Sequence, residues 1–139
     1  MADITIFTDG GSRGNPGSAA IGVHIVDKTG RVVTELKRTI GNATNNFAEY
    51  EAVLQGLEAA KQHFGKKLKE MDVELKLDSE LVKKQLNAEY QIKEPGLVPH
   101  FIAIHNLRVA SFPNLTLTHV PRAQNKEADR LVNEALDGK

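Results

Sequence analysis

The stretch ITIFTDGGSRGNPGSAAIGVHIVDKTGRVVTELKRTI, residues 4–40, decides the architecture. Residues 4–9 (ITIFTD) alternate apolar and more polar positions and are rich in β-formers, the pattern of a half-buried strand. Residues 10–17 (GGSRGNPG) are dense in Gly and Pro, so a loop is expected there, with Asp9 ending the strand. Residues 19–27 and 31–40 read as two further strands, and Asp27-Lys28-Thr29-Gly30 between them suits a hairpin turn. Three strands in succession with short links predict an antiparallel meander.

Beyond residue 40 the period changes. From Thr44 to Phe64, apolar residues recur at Tyr50, Val53, Leu54, Leu57 and Phe64, the spacing of one helical face. Thr44, Asn45 and Asn46 are candidate N-caps and Gly65 a stop. Residues 73–78 (VELKLD) form a short strand, and Ser79 can cap a helix running to about Leu86. Residues 87–97 are less regular. A helix over about 98–110 turns Phe101, Ile104 and Leu107 inward, and residues 115–120 are a fifth strand. A last helix over about 125–136 carries Ala128, Leu131, Val132, Ala135 and Leu136 as its apolar stripe. The order β-β-β-α-β-α-α-β-α predicts an α/β fold, a mixed sheet flanked by helices, in a single domain over 1–139.

Composition narrows the chemistry. There is no cysteine among the 139 residues, which excludes thiolate zinc sites, disulfides and cysteine nucleophiles. No apolar run reaches the roughly 20 residues of a membrane span, and residues 1–4 lack the basic-then-apolar pattern of a secretory signal. A soluble cytoplasmic protein, monomeric and without membrane contact, is expected. Lysine and arginine total 18, as do aspartate and glutamate, so the net charge is zero, unlike the basic surplus usual in nucleic-acid binders. Local basic runs remain, at Lys61, Lys66, Lys67 and Lys69 and at Lys83 and Lys84.

Four acids stand out by placement: Asp9 and Asp78 at strand ends, Glu49 one turn before Val53 on a helix, and Asp129 in the first turn of the last helix. Strand ends and first helical turns can converge on one edge of a sheet, where α/β folds carry their sites. Bare carboxylates gathered in one cleft repel one another, and a divalent cation relieves this. All-oxygen ligands favour Mg²⁺ or Mn²⁺. Two such ions about 4 Å apart can activate a water and stabilise a leaving oxygen in phosphodiester cleavage. Each acid also has an ordinary structural role open to it. Asp9 can begin a turn, Glu49 can complete a capping box with Asn46, and Asp78 and Asp129 can be helix-start acids favoured by the dipole.

Taken together, TDGGSRGNPG (8–17), TNNFAEYEAV (44–53), LDSELV (77–82) and PRAQNKEADRLVNEAL (121–136) resemble the type 1 ribonuclease H family, in the family's order and over nearly the whole chain. The resemblance implies the ribonuclease H-like fold, a five-stranded mixed sheet with strands 1–3 antiparallel. It implies endonucleolytic hydrolysis of the RNA strand of RNA/DNA hybrids, leaving 5′-phosphate and 3′-hydroxyl ends, with double-stranded RNA a further candidate substrate. Asp9, Glu49, Asp78 and Asp129 match the family's metal-binding catalytic acids, which implies Mg²⁺ or Mn²⁺ with two ions per site when substrate is bound. Asn15, Asn45 and Asn46 match residues that contact the hybrid, and Thr44 with Asn15 matches a pocket for a phosphate of the DNA strand. A helix N-terminus suits phosphate, and short amides suit sugar hydroxyls in a wide minor groove.

Two departures qualify the resemblance. Many relatives place a histidine between the last strand and last helix. Here that connection is Pro121-Arg122-Ala123-Gln124, His119 precedes it, and Arg122 is the expected substitute, able to bind phosphate or stabilise developing charge. Several relatives also carry a long basic insertion near 87–98 where this chain has NAEYQIKEPGLV, so weaker and more salt-sensitive hybrid binding is expected. Other readings fit less well. Residues 10–17 lack the GxxxxGK[ST] phosphate loop, Asp9 is followed by Gly10-Gly11 rather than the Asp-x-Glu of proofreading exonucleases, and the last acid is Asp129 where an integrase-like enzyme has Glu. The alternative from another class is a hybrid- or RNA-binding module that has lost catalysis.

Overall fold

The structure, a computed structural model, describes residues 2–139. Its first strand is longer than its apolar half. β1 (Ile4–Gly14) pairs with β2 (Gly17–Asp27) antiparallel along its whole length, from Ile4 opposite Asp27 to Gly14 opposite Gly17. The expected loop over 10–17 is therefore strand as far as Gly14, only Asn15 and Pro16 turn, and Asp9 lies inside β1 rather than at its end. The glycines there serve close packing. A Cβ on Gly10 would sit 2.1 Å from the Ala48 carbonyl oxygen, and one on Gly22 would sit 2.4 Å from that of Ala128.

The second hairpin is as expected. The Gly30 amide donates to the Asp27 carbonyl at 3.0 Å, Asp27 Oδ1 accepts from the Thr29 and Arg31 amides, and β3 (Val32–Ala43) returns antiparallel to β2. α1 (Asn45–Phe64) begins at Thr44, whose Oγ1 accepts from the Phe47 amide at 3.1 Å. A short 3₁₀ segment, Gly65–Glu70, follows, which the periodicity does not reveal. β4 (Val73–Leu77) then runs parallel to β1, and Ser79 Oγ caps α2 (Glu80–Leu86) at the Val82 amide. α3 (Val98–Ser111) leads to β5 (Leu115–His119), parallel to β4, and α4 (Lys126–Leu136) closes the domain. The five-stranded mixed sheet has the order β3-β2-β1-β4-β5.

The glycine contacts fix the layers. Gly22 is the cross-strand partner of Asp9, and Gly10 is the next residue along β1, so the two lie on opposite faces. α1 covers the Gly10 face and α4 the Gly22 face. The α1 side buries Ile6, Val53 and Leu57 completely. Tyr50 is equally buried there, and its hydroxyl donates to Gln85 Oε1 at 2.6 Å, which joins α1 to α2. Of the inward residues expected on α3, Ile104 is buried, and Phe101 and Leu107 are partly buried against the core.

Candidate active site

The β1–β4 ladder ends at Phe7 opposite Lys76, so Asp9 and Asp78 each stand two residues beyond the last pair, level with each other where the strands part. Gly10 lets α1 approach until its second turn reaches this point; the Cβ that Gly10 lacks would also meet the Glu49 amide nitrogen at 2.6 Å. One carboxylate oxygen from each of Asp9, Glu49 and Asp78 then lies within 4.8 Å of the others. Gly22 does the same for α4, whose fourth residue is Asp129. A cleft of about 290 Å³ is lined by Asp9, Glu49, Asp129 and Arg122 among others.

Charge and burial work against one another here. Asp9 is 3% exposed and Glu49 8%. Burial first, and then the charges of Asp78 and Asp129, push the Asp9 carboxyl up to about 7, with Arg122 opposing. Burial, followed by Asp9 and Asp78, raises Glu49 well above the ordinary carboxylate range. Glu49 Oε2 and Asp78 Oδ2 are buried with no hydrogen-bond partner. Buried carboxylate oxygens without donors are costly, and a divalent cation removes both that cost and the repulsion. The donor set, all carboxylate oxygen, fits Mg²⁺ or Mn²⁺, with Asp9, Glu49 and Asp78 at its centre and the more open Asp129 at its rim.

The ordinary roles separate on this geometry. With Thr44 as N-cap, Glu49 lies too far along α1 to complete a capping box. Asp78 precedes the α2 cap, Ser79, and Asp9 begins no turn. Asp129 remains a first-turn acid as well as a wall of the cleft. Arg122 starts a 3₁₀ turn, Arg122–Gln124; it is largely exposed, and its guanidinium lies 3.7 Å from Asp129 Oδ1. His119 is exposed on β5 and faces Glu80 at 4.0 Å rather than the acids.

Of the three amides, Asn45 lines the cleft, and Asn46 lines a neighbouring cavity with Glu94. Asn15 Oδ1 accepts from the Asn45 amide at 3.0 Å, and Asn45 Oδ1 accepts from the Ser12 amide at 2.9 Å. Asn46 Nδ2 donates to Glu94 Oε1 at 3.3 Å. Ser12 and Glu94 carry no signal in the sequence, because their partners lie 33 and 48 residues away. A second cluster, His24, Glu35 and Glu127, lies on the α4 side, but Arg130 already neutralises it, at 2.9 Å from Glu35 and 3.0 Å from Glu127.

The chain has close relatives. The family model described as reverse transcriptase-like matches residues 7–135. LC11-RNase H1, isolated from compost by a metagenomic approach, is 48% identical and superposes with a TM-score of 0.93 over 99% of this chain and 98% of its own. That protein has also been solved in complex with an RNA/DNA hybrid, at 47% identity and a TM-score of 0.92 over 97% of each chain. Ribonuclease HI of Halobacterium salinarum is 47% identical over 134 residues, 96% of this chain and 64% of its own length. Ribonuclease H of Erythrobacter litoralis is 31% identical over 99% of this chain and 98% of its own. The chain spans less than two thirds of the Halobacterium protein and 35% of three mycobacterial relatives. From the matched residues, the shared five-stranded sheet and these full-length likenesses, the chain belongs to the type 1 ribonuclease H family.

Proposed function

We propose that this chain is a divalent-metal-dependent endonuclease that hydrolyses the RNA strand of RNA/DNA hybrids and leaves 5′-phosphate and 3′-hydroxyl ends. The observation that carries the reading is the convergence of Asp9, Glu49 and Asp78 within 4.8 Å, two of their oxygens buried and without donors. The hybrid complex of LC11-RNase H1 supports the choice of substrate. Asp9, Glu49, Asp78 and Asp129 hold the cations. When bound, two Mg²⁺ or Mn²⁺ ions supply an activated water at neutral pH and stabilise charge on the leaving oxygen.

The remaining groups bind and orient. Asn46 Nδ2 is engaged by Glu94, which leaves Oδ1 to accept from a ribose 2′-hydroxyl, the group that distinguishes RNA from DNA. Asn15 and Asn45 have engaged Oδ1 atoms, so each offers its Nδ2 as a donor. Thr44 Oγ1 accepts from Phe47, so its proton is free for a DNA-strand phosphate at the α1 N-terminus. Arg122 offers a fixed positive charge beside Asp129 without acting as a base. The proposal extends to a monomer in the cytoplasm, a reducing compartment with which the cysteine-free composition is compatible.

The test uses labelled RNA/DNA hybrid, double-stranded RNA and double-stranded DNA, each with Mg²⁺, Mn²⁺ or EDTA, for the wild type and Asp78→Asn. Cutting of the hybrid's RNA strand in metal alone, lost in the variant, is expected. Binding without cutting in either metal would establish the non-catalytic binding module instead.

A further inference from the structure

The geometry points to Asn125 as a positioning residue that fixes Asp129 against Asp9. This rests on the metal-site reading of those acids. Asn125 stands at the N-cap position of α4, and asparagine is a favoured cap. Its side chain makes no cap hydrogen bond. It turns inward, is wholly buried, and donates from Nδ2 to the Thr8 carbonyl at 2.9 Å, across 117 residues of sequence.

Both ends of that contact lead directly to an acid. Thr8 is covalently joined to Asp9 and lies one residue beyond the last β1–β4 ladder pair, where β1 has lost its parallel neighbour. The Asn125 carbonyl accepts from the Asp129 amide at 3.1 Å, the bond that opens α4. One amide side chain thus links the backbone beside Asp9 to the helical turn that carries Asp129. The link does not serve packing well, since Asn125 Oδ1 and Thr8 Oγ1 are both buried without partners. An apolar residue here avoids that cost but leaves Thr8 without its donor and α4 free to shift along the face above Gly22. Groups beyond the direct ligands commonly change metal affinity or activity by about tenfold to a hundredfold.

The experiment compares wild type, Asn125→Ala and Leu131→Ala. Leu131 is buried on the same helix, outside the cleft, and its truncation weakens α4 without touching the link. Mn²⁺ affinity is measured on the protein without nucleic acid, by electron paramagnetic resonance of the free ion, under conditions where all three are folded. Hybrid cleavage gives kcat and KM. For Asn125→Ala, Mn²⁺ affinity and kcat are expected to fall at least about tenfold, with KM within about twofold of wild type. Leu131→Ala is expected to retain both. If Asn125→Ala does not fold, Asn125→Ser, whose hydroxyl is too short to reach Thr8, takes its place with the same expected loss. Wild-type affinity and kcat in the Asn125 variant, or an equal loss in Leu131→Ala, would overturn the proposal alone. A wild type that neither binds Mn²⁺ nor cuts hybrid would overturn the metal-site reading beneath it.

Discussion

Replacing Asp9 with asparagine is expected to stabilise the metal-free protein while abolishing its activity. The folded state pushes the Asp9 carboxyl from its ordinary 3.8 up to about 7. The gap is about three, and each pH unit corresponds to about 1.4 kcal/mol, so keeping Asp9 ionised in the empty fold costs about 4 kcal/mol above pH 7. The sign follows from proton binding. Between about pH 4 and 7 the folded chain holds a proton at Asp9 that the unfolded chain releases, so stability falls as pH rises through that window. Asparagine carries no such charge, and it also relieves Glu49, which Asp9 pushes upward. Some hydrogen bonding is lost in exchange. Asp9→Asn is therefore expected to be about 2–4 kcal/mol more stable than wild type at pH 8 in EDTA, roughly 6–12 °C in Tm for a domain of this size. At pH 3.5, near the ordinary carboxylate value, the difference should largely vanish. Urea unfolding followed by circular dichroism at the two pH values measures it. Mg²⁺ at about a hundred times its Kd should then raise wild-type stability by about 2.7 kcal/mol and the variant's by much less. An Asp9→Asn protein no more stable than wild type at pH 8 in EDTA, or equally stabilised at both pH values, would refute the claim that burial, and then the neighbouring acids, hold the Asp9 carboxyl against ionisation.

Three further outcomes follow from the same geometry. Gly22→Ala forces a Cβ to within 2.4 Å of the Ala128 carbonyl oxygen and 2.8 Å of Leu131 Cβ, so α4 must move. A loss of about 1–3 kcal/mol in urea unfolding is expected, with kcat reduced at temperatures where the variant is still folded. Arg122→Ala should lower kcat about tenfold in saturating metal, since it removes the fixed charge beside Asp129; an unchanged kcat ends that role. Hybrid affinity, measured with an inactive Asp78→Asn protein, should be weaker than in relatives bearing a basic insertion at 87–98, because this chain has zero net charge; equal affinity at the same salt contradicts this.

Much of the site was legible because its signals are local. Strand alternation at 4–9 and 73–78 and the helical spacing from Tyr50 to Leu57 place the acids on their elements. The glycine-rich run at 10–17 was misleading for a physical reason. Glycine marks turns, but it also marks close approach of backbones, and the sequence does not say which of the two operates. Here the second does: Gly10 and Gly22 are small so that α1 and α4 can reach the sheet. Asn125 shows the same ambiguity, since a residue suited to capping α4 instead turns inward to Thr8.

The sequence by itself determined the order of elements and the antiparallel meander, since both depend on period and spacing; it offered four acids as a candidate site, each with an ordinary structural role also open, and the family resemblance singled them out. Tertiary structure alone decided that Asp9 and Asp78 stand level where β1 and β4 part, that Glu49 is buried against them, and that burial and neighbouring charge push the Asp9 and Glu49 carboxyls above their ordinary range. It also decided which atoms of Asn15, Asn45 and Asn46 are engaged within the fold. Those facts depend on distances between residues tens to more than a hundred positions apart, which only the packing of helices on the sheet sets.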